Sequence, residues 1–189
     1  MENGNLIVLS GPSGVGKGTV LKRFLKEYRD VEYSVSATTR AKREGEIEGK
    51  DYFFLTEDRF FQMVEQDMFI EWAEVHNNYY GTPRNYVENI LQEGKDIILE
   101  IDIQGARQVQ KTYPEAIFVF LLPPSLKELE KRLDKRGTEN DQNRAVRLEN
   151  ARKELKELRN YNYKVVNDKI NEAVKKLKAI IIAEQCRIK

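Results

Sequence analysis

The chain has 189 residues, with 32 basic against 31 acidic side chains, a net charge of +1 and a single cysteine. That length suits one compact domain, or one core carrying inserted flaps, and the near-neutral balance excludes a global field able to hold nucleic acid polymers or an anionic membrane. Cys186 cannot form an internal disulfide, no secretory pattern opens the chain, and no apolar run approaches the roughly 20 residues that cross a bilayer, so a reducing cytoplasm is the expected setting.

Asn5 to Ser10 is a short apolar run of β-branched character stopped by Gly11-Pro12, and predicts a strand buried on both faces. From Lys17 onward, Val20, Leu21, Phe24, Leu25 and Tyr28 recur at helical spacing. Arg40 to Asn78 is rich in glycine, charge and aromatics, with a predicted helix over Glu57 to Gln66 behind Thr56 as N-cap, and reads as an insertion. Asp96 to Asp102 and Ala116 to Leu122 predict two more interior strands, joined by a helix over Gln104 to Tyr113. Ser125 and Glu128 form a capping box ahead of a helix striped by Leu126, Leu129 and Leu133, which ends at Gly137. A polar stretch from Thr138 to Arg144 leads to a charged helix over Ala145 to Leu158, a strand over Tyr163 to Val166, and a last helix from Ile170 to about Gln185. Strand followed repeatedly by helix predicts an α/β fold: an open, mostly parallel sheet with helices on both faces.

The densest chemical signal is Gly11-Pro12-Ser13-Gly14-Val15-Gly16-Lys17 between the first strand and the first helix. Glycines in this pattern let backbone N–H groups turn inward around phosphates, the lysine adds a point charge, and the helix dipole favours the same anion. One position departs from the pattern. The Ser or Thr expected after the lysine is Gly18, and Thr19 comes one place late, so Thr19 either binds a phosphate or reaches the metal. A phosphate loop identifies a nucleotide binder and not its reaction.

Further motifs follow in order: Ser34-Val35-Ser36-x-Thr38-Thr39-Arg40, Gly49-Lys50-Asp51-Tyr52-x-Phe54, Phe69-Ile70-Glu71-Trp72, Tyr79-Tyr80-Gly81, Ile101-Asp102-x-Gln104-Gly105, and later Arg136-Gly137-Thr138. With the phosphate loop, this succession resembles the guanylate kinases over essentially the whole chain. The resemblance implies a P-loop kinase fold as a single domain, with its core at 1–35, 87–137 and 159–189, a GMP-binding insertion at about 36–86 and a lid at about 138–158.

The activity it implies is transfer of a phosphoryl group from ATP to GMP or dGMP with Mg²⁺. ATP falls to the loop from Gly11 to Thr19, to Arg136, and to Asn167 with Asp168 beside the adenine. Arg40, Arg43, Tyr52 and Tyr80 hold the GMP phosphate, as suits guanidinium forks and phenolic hydroxyls. Without the motif, Arg40 and Arg43 with Lys42 read equally well as a solvated basic face, and the tyrosines as packing aromatics. Guanine presents N1–H and N2–H₂ donors beside an O6 acceptor; Glu71 is the implied carboxylate, Ser36 and Thr82 the hydroxyls, and Asp102 helps at the base edge. Glu100 and Asp102, two apart on one predicted strand, face one way, and either could hold Mg²⁺ through water or merely cap the next helix.

Lys17, Arg40, Arg132, Arg136 and Arg147 are the implied catalytic cations, offsetting charge on the transferring group, and Arg144 lies one helical turn from Arg147. The lone His76 reads as structural, since an anionic acceptor needs no base. GMP and Mg·ATP are expected on opposite sides of a cleft over which insertion and lid close to exclude water. Other readings are an adenylate-type kinase, whose loop can also read Gly-Lys-Gly-Thr, a guanylate kinase-like scaffold that binds phosphorylated peptides, and a regulatory GTPase, for which the Asn-Lys-x-Asp motif is missing. ATP and GMP or dGMP are the expected partners, with the chain a monomer or a homodimer.

Overall fold

The structure, a computed structural model, describes residues 3–75, 77–134, 149 and 152–188. The chain runs β1 (Leu6–Ser10), α1 (Lys17–Glu27), β2 (Val31–Tyr33), β3 (Ala37–Thr38), β4 (Phe53–Phe54), α2 (Glu57–Glu65), β5 (Phe69–Val75) and β6 (Asn78–Pro83). It continues through α3 (Arg84–Gln92), β7 (Asp96–Glu100), α4 (Ile103–Thr112), β8 (Ile117–Leu122), α5 (Leu126–Asp134), a 3₁₀ turn (Lys156–Asn160), β9 (Tyr163–Val166) and α6 (Ile170–Gln185). Five strands make one sheet in the order β2-β7-β1-β8-β9. The pairs β1 with β8, β2 with β7 and β8 with β9 are parallel, with Val8 opposite Phe118 and Val119 opposite Tyr163. Parallel pairing demands crossovers, and the helices between the strands supply them. The expected α/β sheet flanked by helices is therefore present.

Two compact units emerge. One comprises Met1–Leu6, Asp30–Leu99 and Gln104–Ala116; the other comprises Ile7–Arg29, Glu100–Ile103 and Ile117–Lys189. Every residue of β1, which from Ile7 onward belongs to the second unit, is buried, as a strand covered on both faces requires. α1 turns Val20, Leu21 and Phe24 inward and packs on α6, which buries Ala173, Val174, Leu177 and Ile181. Phe24 is fully buried, so truncating it to alanine costs about 3–5 kcal/mol.

The first unit holds a second sheet, β4-β3-β6-β5, in which β5 and β6 form an antiparallel hairpin with an irregular register between Phe69 and Glu71. α2 covers it: Ala37, Phe60 and Phe69 form a buried cluster, with Phe60 stacked on Phe69 at 4.6 Å. Thr56 caps α2 as expected, its hydroxyl accepting from Arg59 N at 3.3 Å.

Two expectations change. The strand predicted to Asp102 stops at Glu100, so alternation along a strand does not fix where Asp102 points. The charged helix predicted to Leu158 tightens into the 3₁₀ turn at Lys156–Asn160, a common way for a helix to finish. The insertion, in which only one helix was predicted, is the β-sheet just described.

Candidate active site

The glycine loop leaves β1 at its carboxyl end and enters α1 at Lys17. Gly16 is the N-cap, at a left-handed φ of +93°, and a Cβ there would come within 2.8 Å of Asn167 Nδ2. Conformation and space both require glycine. Asn167 is buried and braces the loop, its Nδ2 donating to the Val15 carbonyl at 2.8 Å while its Oδ1 has no hydrogen-bond partner among the described residues. Lys17 folds back across the loop, its Nζ donating to the Gly11 carbonyl at 2.6 Å.

Gly18, the departure from the usual pattern, has a steric role. A Cβ at that position would stand 3.3 Å and 3.4 Å from the two carboxylate oxygens of Glu100, so the bare residue leaves room for that carboxylate beside the loop. Burial pushes the Glu100 carboxyl above its usual range, and the nearby Lys17 ammonium pulls the other way. Thr19 is exposed and shares a groove along α1 with Lys22, Arg23 and Lys26, a setting that favours an anionic ligand over a cation.

α5 flanks the loop. Ser125 Oγ accepts from Glu128 N at 3.1 Å, as the capping box predicts, and Arg132 donates from Nε to Glu128 at 3.2 Å and from Nη1 to the Val15 carbonyl at 3.4 Å. Arg132 thus stands against the phosphate loop. Glu154 joins the group unannounced by any motif. Its carboxylate accepts from the Ser13 backbone N–H and feels Lys17, while burial holds its pKa up. Arg136, Arg144, Arg147, His76 and most of the lid predicted at 138–158 lie outside the described residues.

The other predicted cluster lies in the first unit. Arg40 follows β3 and closes a two-pronged pair with Glu46, Nη2 to Oε1 at 2.7 Å and Nη1 to Oε2 at 3.1 Å. The Glu46 hydrogen bond raises the Arg40 pKa further above its ordinary value, and Tyr80 also bonds to the guanidinium. Arg40 lies over the Tyr52 ring at 5.3 Å, and the Tyr52 and Tyr80 rings are 6.0 Å apart. Arg40, Tyr52 and Tyr80 are therefore brought together as the motifs implied. The Arg43 side chain is exposed, and its backbone N–H donates to Glu46 Oε2 at 2.8 Å. Glu46, which no motif singled out, organises this corner.

The hairpin register sets Glu71 directly opposite Thr82. Both are buried, Glu71 at 5% exposure and Thr82 at 0%, and the Thr82 hydroxyl donates to Glu71 Oε1 at 2.6 Å. Ser36 is half-buried, and its carbonyl accepts from Phe53 N at 2.9 Å, tying β3 to β4. Asp102 is half-buried and belongs to the second unit. Gln108 of α4 pairs with both backbone groups of Trp72, Nε2 to O at 2.6 Å and N to Oε1 at 3.2 Å. Gln108 and Glu154 carry no local sequence signal, because each acts on a residue that only the fold brings near, whereas Glu46 closes on Arg40 and Arg43 within one short loop.

A lysine-bearing glycine loop at the end of a central parallel strand, beside a carboxylate, defines a nucleotide-binding P-loop protein. Comparison with known proteins narrows the class. The guanylate kinase family profile matches residues 3–184. Guanylate kinase of Caldanaerobacter subterraneus subsp. tengcongensis is 51% identical over 187 residues, covering 99% of this chain and 91% of the relative. That of Clostridium tetani is 52% identical over 188 residues, covering 100% and 90%. The crystal structure of guanylate kinase from Anaplasma phagocytophilum superposes with a TM-score of 0.82 at 36% identity, covering 98% of this chain and 88% of that one. The chain belongs to the guanylate kinase family, and is a phosphotransferase.

Proposed function

We propose that the protein phosphorylates GMP and dGMP to GDP and dGDP, with ATP as donor and Mg²⁺ as its companion ion. The observation that carries this reading is the buried Glu71 carboxylate, fixed by the Thr82 hydroxyl at 2.6 Å, in the same unit as the Arg40, Tyr52 and Tyr80 cluster. A fixed carboxylate suits the N1–H and N2–H₂ donors of guanine, and a guanidinium among phenols suits a phosphate. Ser36 supplies a hydroxyl for O6, Asp102 assists at the base edge, and Arg43 joins Arg40 on the phosphate. The Arg40 fork, closed here on the Glu46 carboxylate, presents the same paired donors to phosphate oxygens.

On the donor side the backbone from Gly11 to Thr19 and the Lys17 ammonium hold the ATP phosphates, with Asn167 bracing the loop. A GMP phosphate oxygen forms a bond to the γ-phosphorus as the bond to the β–γ bridging oxygen breaks, and ADP leaves with that electron pair. No general base is required, because the attacking oxygen is already anionic. Lys17, Arg132, Arg136 and Arg147 stabilise the charge carried by the transferring group.

The residues present fit Mg²⁺ as an ion held chiefly by water and phosphate oxygens. Glu100 offers a carboxylate beside Lys17, and among the described residues no three Asp, Glu, His or Cys side chains form a metal cage. When bound, Mg²⁺ neutralises charge on the phosphates. The reading is tested by ³¹P NMR of ATP, Mg²⁺ and GMP with the protein. GDP and ADP appearing in equal amounts support it, and ADP without GDP refutes it.

A further inference from the structure

We propose that Gly105 is a specificity-determining position: its bare α-carbon, in the first turn of α4, is the seat against which the Glu71 carboxylate rests. A Cβ at residue 105 would lie 2.1 Å from Glu71 Oε2 and 2.8 Å from its Cδ, closer than any non-bonded pair tolerates. One contact holds the carboxylate itself and two more hold the strand that carries it. Thr82 fixes Oε1 at 2.6 Å. Gln108, one turn further along α4, holds both backbone groups of Trp72, the residue after Glu71. Gln104 Nε2 donates to the Glu74 carbonyl at 3.4 Å. Strand β5 and helix α4 are thus locked in register around one side chain, leaving its carboxylate little freedom to drift. Selection of a base by hydrogen bonds depends on such fixity, because a displacement of about 1 Å already costs on the order of a hundredfold.

The assignment rests on the guanine reading of Glu71. It predicts a separation that mere packing would not show. The atom that an added methyl would strike is the end of a flexible side chain, and alanine is the better helix former, so Gly105→Ala displaces the carboxylate without unfolding the chain. Steady-state kinetics on the variant are expected to show kcat/KM for GMP lowered about a hundredfold and KM for ATP unchanged, while the chain still melts in one cooperative transition, lowered by no more than loss of the Thr82 bond would lower it. In a Glu71→Ala background, adding Gly105→Ala is expected to change GMP affinity no further, the mark of two residues acting as a unit.

Gly105→Ala with wild-type KM for GMP overturns the inference, as does an equal further loss in the Glu71→Ala background. A collapsed melting temperature overturns it too, since the carboxylate then could not move aside. A wild-type chain that ignores GMP while phosphorylating another nucleotide is a different failure: it overturns the proposed function, and this assignment with it.

Discussion

Thr82→Val isolates the hydrogen bond on which the acceptor site turns. Valine fills nearly the volume of threonine, so the substitution opens no cavity and replaces the hydroxyl that reaches Glu71 Oε1 at 2.6 Å with a methyl that can donate nothing. Both residues are buried, so water does not readily replace the lost donor. A hydrogen bond to a charged group contributes about 1.5–3 kcal/mol, and at about 2–4 °C per kcal/mol for a chain of this size the melting temperature falls by about 3–12 °C. Expressed instead in the use of GMP, the same loss lowers kcat/KM by about 10- to 150-fold, at one factor of ten per 1.4 kcal/mol. Differential scanning fluorimetry gives the first quantity, and a coupled ADP-release assay with varied GMP gives the second. A variant that melts with the wild type and keeps its KM for GMP would refute the reasoning, for Glu71 would then need no partner.

Other perturbations separate the two sides of the reaction. Lys17→Ala removes a half-buried ammonium that donates to the Gly11 carbonyl, and is expected to cut turnover about a thousandfold with an unchanged circular dichroism spectrum. Asn167→Ala leaves the Val15 carbonyl only the longer bond from Arg132, so KM for ATP rises about fivefold while KM for GMP holds, as initial-rate measurements would show. Glu154→Gln keeps an acceptor for the Ser13 N–H and removes a carboxyl whose pKa burial raises in the folded state. The folded chain therefore binds that proton more tightly than the unfolded chain, and the wild type loses stability as pH rises from the ordinary carboxylate range through the raised value. Glu154→Gln is expected to melt higher than wild type at neutral pH, with the gain vanishing in acid; a constant difference across a pH series of melts would contradict this.

Much of the parallel core was legible because its strands are uniformly apolar. β1, β7 and β8 are buried on both faces and need no alternation to be recognised. The loop was legible because its glycines answer to a backbone requirement that the chain states locally, as Gly16 shows. The hairpin β5–β6 was hidden by its own register shift: Phe69, Ile70 and Glu71 are all buried in succession, which destroys the period-two pattern. β2 spans only three residues, and α3 begins after Pro83 with no capping side chain to announce it. At the site, Glu71 and Arg40 were found by motif, yet what fixes them was not. Glu46, Gln108 and the bare face of Gly105 matter through partners that folding supplies, and Gly18 reads as a defect in the loop pattern until the Glu100 carboxylate is seen beside it.

The central claim is that the buried Glu71 makes this family member a kinase for guanine nucleotides. The most direct measurement is the ratio of kcat/KM for GMP to that for AMP, with Mg·ATP held saturating. Because a site built to bond the donors of one base leaves its own polar groups unpaired against another, the expected ratio is about 10⁴ or more. A ratio near one, or a preference for AMP, would contradict the account.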